Sequence, residues 1–311
     1  MTAAAIEIKG LTKTYRDRVS GQEKKALNPI DLTVPRGSFF GLLGPNGAGK
    51  STIINILAGT VIKSGGSVTI CGHDIDTQMR ASRLAIGVVP QELILDTFFT
   101  VRQALEITAG YYGIPKANRR TDEIIDAMGL RDKADSPSRR LSGGMRRRLL
   151  IGKALVHTPE VLVLDEPTAG VDVELRRSLW EYARKLNKAG TTILLTTHYL
   201  EEAEELCDEI AIINHGSIIA RDTKNALMGG VDSKEVVFTL AKPITDVPAG
   251  LGDLQASLRE GKLVVKYQPS KSHMDEILAR MSTVGLVIHD ISTHEVELED
   301  LFIKLTSAKA A

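Results

Sequence analysis

Residues 44 to 51 read Gly-Pro-Asn-Gly-Ala-Gly-Lys-Ser, the spacing G-x-x-x-x-G-K-S, and this octet constrains the chain more than any other feature of its 311 residues. Gly44, Gly47 and Gly49 allow turns that aim consecutive backbone N–H groups at one point, and a helix beginning there adds its positive N-terminal end. Such a loop cradles phosphate, with Pro45, Asn46, Ala48 and Thr52 completing its wall. Lys50 is placed to reach β- and γ-phosphates, and Ser51 to put a hydroxyl on Mg²⁺. The expected ligand is a nucleoside triphosphate with Mg²⁺.

The flanks agree with that geometry. Residues 38–43 (Ser-Phe-Phe-Gly-Leu-Leu) predict an apolar strand entering the loop, and residues 53–58 an apolar helix leaving it. Alone, the octet does not choose among GTPases, kinases, helicases and transport ATPases.

Composition narrows the field. Lys plus Arg and Asp plus Glu both number 39, so the formal net charge is zero, which argues against a chain whose main task is gripping nucleic acid. Cys71 and Cys207 stand far apart in no metal spacing, which favours a reducing, cytosolic setting without a disulfide framework or zinc site. No stretch approaches the roughly 18 apolar residues of a membrane helix. The N-terminus lacks a basic region followed by an apolar signal core. The chain is expected to reach a membrane only through a partner.

Residues 6–8, 30–34, 67–71 and 86–89 are rich in β-branched side chains and read as strands. From about 101 to 157 the apolar spacing turns helical, as in Ala104, Leu105 and Thr108 or Leu149, Leu150 and Ala154, predicting a helical subdomain over about 92–160. Residues 161–164 and 192–195 are continuous apolar runs separated by a helical pattern, the mark of buried parallel strands. In that pattern Trp180 reads as core. A short helix over 223–228 runs into Gly229-Gly230, a hinge signal. Beyond it, strands at 236–240, 254–258, 262–267 and 287–291 and helices at 274–284 and 298–306 predict a small α+β domain. The expected division is 1–230 and 231–311.

Val161-Leu162-Val163-Leu164-Asp165-Glu166 is a buried strand ending in two carboxylates, at the strand end where open α/β sheets bind ligands. Asp165 is suited to hold Mg²⁺ through water and Glu166 to polarise an attacking water.

Between the two motifs lies Leu141-Ser142-Gly143-Gly144-Met145, and here the sequence resembles the ATP-binding cassette (ABC) ATPases, whose signature is L-S-G-G-Q. The resemblance covers about residues 5–225, with the motifs in the family's order. It implies that Tyr15 stacks on adenine, Gln91 after Val88-Val89-Pro90 is the Q-loop glutamine and a Mg²⁺ ligand, residues 169–172 ending in Asp172 form the D-loop, and His198 is the switch histidine. The implied fold is the P-loop NTPase cassette: an α/β mixed-sheet core plus a helical subdomain, here with a C-terminal α+β domain. The implied activity is ATP hydrolysis, with Lys50, Glu166 and His198 catalytic and ATP and Mg²⁺ bound. It implies further that two copies face head to tail, Ser142, Gly143 and Gly144 of each closing over the other's ATP.

Met145 departs from the family's Gln. A thioether is a weak acceptor, so a hydrogen bond to the opposing ribose is lost and looser sugar selectivity is expected. Val171 replaces the usual Leu with little change in volume.

The family also implies a separate permease in the membrane, docked on the helical subdomain from the cytoplasmic face. Leu93, Ile94, Leu95, Phe98 and Phe99 supply an apolar run just after Gln91, either for that docking or for packing beneath the subdomain. The wording of the motifs and a late Leu298-Glu-Asp-Leu-Phe helix most resemble exporter ATPases of the drug-resistance and polysaccharide-export type. The competing reading is a soluble ABC ATPase acting on ribosomes or DNA. A single cassette, no heptad run and no basic surplus disfavour it. His273, His289 and His294 show no metal spacing.

Overall fold

The computed structural model describes residues 3–17, 20–169, 171, 173–229, 234–251, 254–259, 261–267, 272–295 and 298–307. The chain opens with β1 (Ala4–Arg16) and β2 (Glu23–Pro35), paired antiparallel with Ile8 opposite Leu32 and Leu11 opposite Ile30. Both strands run well past the apolar segments that announce them. The ladder extends through polar residues such as the half-buried Thr14, opposite the exposed Lys25, because backbone pairing does not need a buried side chain.

β3 (Phe39–Leu43) is buried throughout and feeds the glycine loop, after which α1 (Lys50–Leu57) begins. β4 (Gly65–Ile70) and β5 (His73–Asp74) add to the first sheet, giving the order β2-β1-β4-β5. After α2 (Met79–Ala85) and β6 (Ile86–Val89) come the helices of the predicted subdomain, α3 (Val101–Tyr111), α4 (Thr121–Ala127) and α5 (Gly143–Leu155). Thr100 starts α3 with a reciprocal capping box to Gln103.

The chain then returns to the core through β7 (Val161–Asp165), α6 (Val173–Lys188), β8 (Thr192–Thr197) and α7 (Leu200–Leu206). It ends this unit with the hairpin β9 (Glu209–Asn214) and β10 (Ser217–Thr223). These strands form a six-stranded sheet, β10-β9-β3-β8-β7-β6, parallel except for β10. The main core joins the two sheets around α1: Ile6, Leu11 and Leu32 from one side meet Phe40, Val163 and Leu194 from the other, with Ile53 and Ile56 between.

The chain divides into two compact units, Met1–Thr223 and Lys224–Ala311. The division falls ahead of Gly229, so α8 (Lys224–Gly229) belongs to the second unit; Gly230, the other half of the hinge signal, lies outside the described residues. That unit contains β11 (Lys234–Leu240), β12 (Gln255–Arg259), β13 (Lys262–Tyr267), α9 (Met274–Thr283), β14 (Ile288–Glu295) and α10 (Leu298–Ser307). Its antiparallel sheet has the order β12-β13-β11-β14, and Phe238 and Val265 on the sheet pack with Ile277 and Met281 of α9. Among the described residues no helix is long and apolar enough to cross a membrane.

Candidate functional site

β3 lies between β8 and β9, both parallel to it, so the glycine loop emerges at the C-terminal edge of the sheet. Gly44 is packed too closely for a side chain: a Cβ there would stand 2.4 Å from the Ile213 carbonyl oxygen. Gly49 has φ 117°, which only glycine adopts readily, and from it the chain turns into α1. No acidic side chain occupies the first turn of α1, so its positive end is left for an anion. Lys50, buried at 5% exposure, donates to the carbonyls of Gly44 (2.7 Å) and Pro45 (3.3 Å). Burial lowers its pKa, and the charges of Glu166 and Asp165 act against that.

A cleft of about 710 Å³ runs along the loop, walled by residues 46–52 together with Tyr15, Gln91 and Glu166. Tyr15 is 40% exposed, and the Lys13 ammonium sits 4.7 Å from its ring centroid. That cation–π contact steadies a ring suited to stacking on a base.

β7 delivers Asp165 and Glu166 to the same edge. Thr196 Oγ1 on β8 donates to Asp165 Oδ1 at 2.5 Å. Burial pushes the Asp165 carboxyl up; the Thr196 bond opposes this, Glu166 adds to it, and Lys50 and Arg147 oppose it. Glu166 has φ 44°, an uncommon conformation for a residue with a Cβ, and its N–H donates to the Thr196 carbonyl at 3.0 Å. This turn leaves its carboxylate at the meeting point of three segments. Oε2 accepts from Gln91 Nε2 at 2.8 Å and lies 3.3 Å from His198 Nδ1, while Oε1 is 3.7 Å from Lys50 Nζ. Glu166 is 6% exposed, and the His198 side chain is 38% exposed beside it. The arrangement can hold one water against a carboxylate and a phosphate on the loop.

Ser142 caps α5, its Oγ accepting from the Met145 N–H at 3.3 Å. Ser142, Gly143, Gly144 and Met145 line a second cleft of about 610 Å³ with Leu93, Ala169 and Val171. Among the described residues, none that lines it lines the loop cleft. The two are nevertheless tied through α5, whose buried Arg147 forks onto the carbonyls of Pro90 (2.8 Å) and Gln91 (2.9 Å). Tyr15, residues 46–52, Gln91 and Glu166 thus share one cleft, with His198 at Glu166, while Ser142, Gly143 and Gly144 face another. Asp172 lies outside the described residues.

Lys24, Lys25 and His215 also line the loop cleft and escaped the reading of the sequence. The lysine pair was a visible basic signal, but its distance from residue 44 hid the contact made by β-pairing. His215 has φ 46° in the turn between β9 and β10, where the Gly216 N–H donates to the Ala48 carbonyl at 2.9 Å. The run after Gln91 is at the surface: Leu93 is 41%, Ile94 69%, Phe98 78% and Phe99 37% exposed, so packing beneath the helices does not account for it.

Comparison with known proteins agrees with this geometry. Residues 27–169 match the family model described as ABC transporter. The chain is 38% identical to "Nod factor export ATP-binding protein I" of Ralstonia nicotianae, covering 97% of this chain and 93% of that protein. It is 35% identical to "Daunorubicin resistance ATP-binding protein DrrA3" of Streptomyces coeruleorubidus (98% and 97% covered). It is 33% identical to "Linearmycin resistance ATP-binding protein LnrL" of Bacillus subtilis (91% and 94%). Among solved structures it is similar to the ATP-binding cassette MJ0796, a dimer bound to ADP and Pi, with TM-score 0.64 and 25% identity over 70% of this chain and 98% of that one. An "ATP binding subunit of ABC transporter" gives TM-score 0.64 and 27% identity over 73% and 92%. The chain belongs to the ATP-binding proteins of the ABC transporter family.

Proposed function

We propose that this chain is the ATP-hydrolysing subunit of an exporter, working as a head-to-tail pair on the cytoplasmic face of a separate membrane permease. The observation that carries the reading is the continuity from Glu166, through its hydrogen bond to Gln91, into the exposed apolar run Leu93–Phe99. A surface that docks a partner is thereby joined to the carboxylate that acts on water. The relatives' names and the zero net charge favour this over a soluble ATPase acting on ribosomes or DNA.

Tyr15 stacks on adenine, and the backbone of residues 44–49 with Lys50, Ser51 and Thr52 holds the phosphates. Glu166 takes the proton of the attacking water as its oxygen bonds to the γ-phosphorus and the bridge to ADP breaks. His198 contacts the γ-phosphate and orients that water. Because Ser142, Gly143 and Gly144 face a cleft separate from the loop, they act on the ATP of a second copy.

The donor set suits Mg²⁺. Among the described residues no three His, Cys, Asp or Glu converge, as they do for a protein-caged metal. The Ser51 hydroxyl, the Asp165 carboxylate and the Gln91 amide oxygen, whose Nε2 is turned to Glu166, are hard ligands that leave positions for phosphates and water. When bound, the ion neutralises charge that develops on the phosphates.

Phe98→Asp tests the docking surface. The substitution is expected to abolish co-purification with the permease in detergent while ATP binding by the isolated chain stays unchanged. Intact assembly would count against the reading.

A further inference from the structure

Glu202, in the first turn of α7, is a fully buried carboxylate away from the loop cleft, 0% exposed. Its Oε1 accepts from Thr168 Oγ1 and, at 3.0 Å, from Trp180 Nε1 on α6. Oε2 has no hydrogen-bond partner among the described residues. Burying a carboxylate on neutral donors alone is unfavourable, so its place in the fold calls for a role beyond packing.

The partners supply one. Thr168, also 0% exposed, lies two residues past Glu166 and accepts from the Val171 N–H at 3.1 Å, opening the turn toward the signature cleft. At the other end, the Glu202 N–H donates to the carbonyl of Tyr199, the residue after His198, at 3.2 Å. One buried oxygen therefore fastens the Thr168 side chain, just beyond Glu166, to the helix just beyond His198, and Trp180 pins the junction from α6.

We propose that Glu202 is a positioning residue for hydrolysis: through Thr168 and α7 it sets the separation between Glu166 Oε2 and His198 Nδ1, 3.3 Å here. The inference rests on the reading of Glu166 and His198 as the hydrolytic pair. Glu202 lines neither the loop cleft nor the signature cleft, and its effect is on kcat rather than on ATP affinity. An ångström of misplacement in such a pair is worth up to about 100-fold in rate.

The test uses the purified full chain with ATP and Mg²⁺. Glu202→Ala is expected to lower kcat roughly 10- to 100-fold with the Kd for a fluorescent ATP analogue within about twofold. Glu202→Gln, whose amide oxygen can accept both bonds, is expected to restore most of the rate. Trp180 is the only tryptophan in the chain, so its emission reports the junction directly, shifting in Glu202→Ala and not in Glu202→Gln. Should Glu202→Ala fail to fold, Thr168→Val, nearly isosteric, carries the same expectation for kcat. A folded Glu202→Ala or Thr168→Val variant with wild-type kcat overturns the proposal, as does a kcat loss in Glu202→Gln equal to that in Glu202→Ala. Glu166→Gln separates the two layers. Wild-type turnover there overturns the hydrolytic reading itself, whereas a dead Glu166→Gln beside a fully active Thr168→Val overturns only the role of Glu202.

Discussion

The side-chain amide of Gln91 donates to Glu166 Oε2 across 2.8 Å, joining the segment that leads into the helical region to the carboxylate at the end of β7. His198 Nδ1 lies 3.3 Å from the same oxygen. An amide in place of that carboxylate keeps the shape and loses the basicity. Glu166→Gln is therefore expected to bind ATP normally and hydrolyse it at least about 100-fold more slowly, the lower end of general-base contributions. With hydrolysis stalled, the ATP-bound pair of copies accumulates. Light scattering in ATP is expected to give about twice the mass of one chain, and wild-type turnover would refute the role of base.

Gly44 and Gly47 are required for different reasons, and substitution separates them. A Cβ on Gly44 would meet the Ile213 carbonyl at 2.4 Å and Ile213 Cγ2 at 2.8 Å, so β9 must move. At Gly47, φ is 79° and nothing lies within 4 Å of the added carbon. Gly47→Ala thus incurs only the left-handed backbone cost, roughly 1–2 kcal/mol. Gly44 has no positive φ, and Gly44→Ala instead overpacks the site, at the upper end of roughly 1–3 kcal/mol because the closest atom is backbone. Thermal unfolding is expected to show the larger drop in Tm for Gly44→Ala, at about 2–4 °C per kcal/mol for a unit of this size. Equal drops would sink the distinction.

The loop, the strand into it and the carboxylates at 165 and 166 were legible because each is local. Residues 39–43 and 161–164 are buried on both faces and read as unbroken apolar runs. β9 carries the same signal in Ile210-Ala211-Ile212-Ile213 and was passed over, although it supplies the carbonyl that excludes a side chain at Gly44. Lys24, Lys25 and His215 could not be read as parts of the cleft, since strand pairing and a distant turn bring them there. The ends of β1 and β2 were missed because their residues are polar and exposed, and their order comes from ladder hydrogen bonds that leave no hydropathy pattern. The exposure of Phe98 depends on how the segment after Gln91 sits on the helices, which periodicity does not specify.

Met145 stands at the signature cleft with its N–H held by Ser142 Oγ, so the cap that shapes this end of α5 does not depend on its side chain. Met145→Gln is expected to leave the fold and the ATP rate intact while restoring a donor and acceptor facing the opposing nucleotide. A rise in the ratio of kcat/KM for ATP over 2′-deoxy-ATP, which lacks a ribose hydroxyl, by roughly 5- to 20-fold, about 1–1.8 kcal/mol, would match one gained hydrogen bond. An unchanged ratio would show that the side chain at this position has no part in nucleotide preference.

Asp165 is held in a setting that suits its neutral form better than its charged one, since burial raises its pKa and the Thr196 bond, Lys50 and Arg147 only partly offset that. With the folded-state pKa above the unfolded one, the native state holds a proton more tightly than the unfolded chain does. This group's contribution to stability is therefore full below the usual aspartate range and is lost as pH rises through the folded value. At neutral pH the ionised carboxylate lowers stability, and Asp165→Asn removes that effect while its Oδ1 still accepts from Thr196 Oγ1. The variant is expected to unfold a few degrees higher than the wild type at pH 7, with the gap closing as pH falls through the folded value and absent below about 4. It is expected to lose most of its Mg²⁺-dependent ATPase activity, because the substitution removes the one negative charge that the side chains Ser51, Gln91 and Asp165 offer the dication. A lower Tm at pH 7, or a gap that widens toward acid, would mean that the charge of Asp165 stabilises the fold, reversing the sign assigned here.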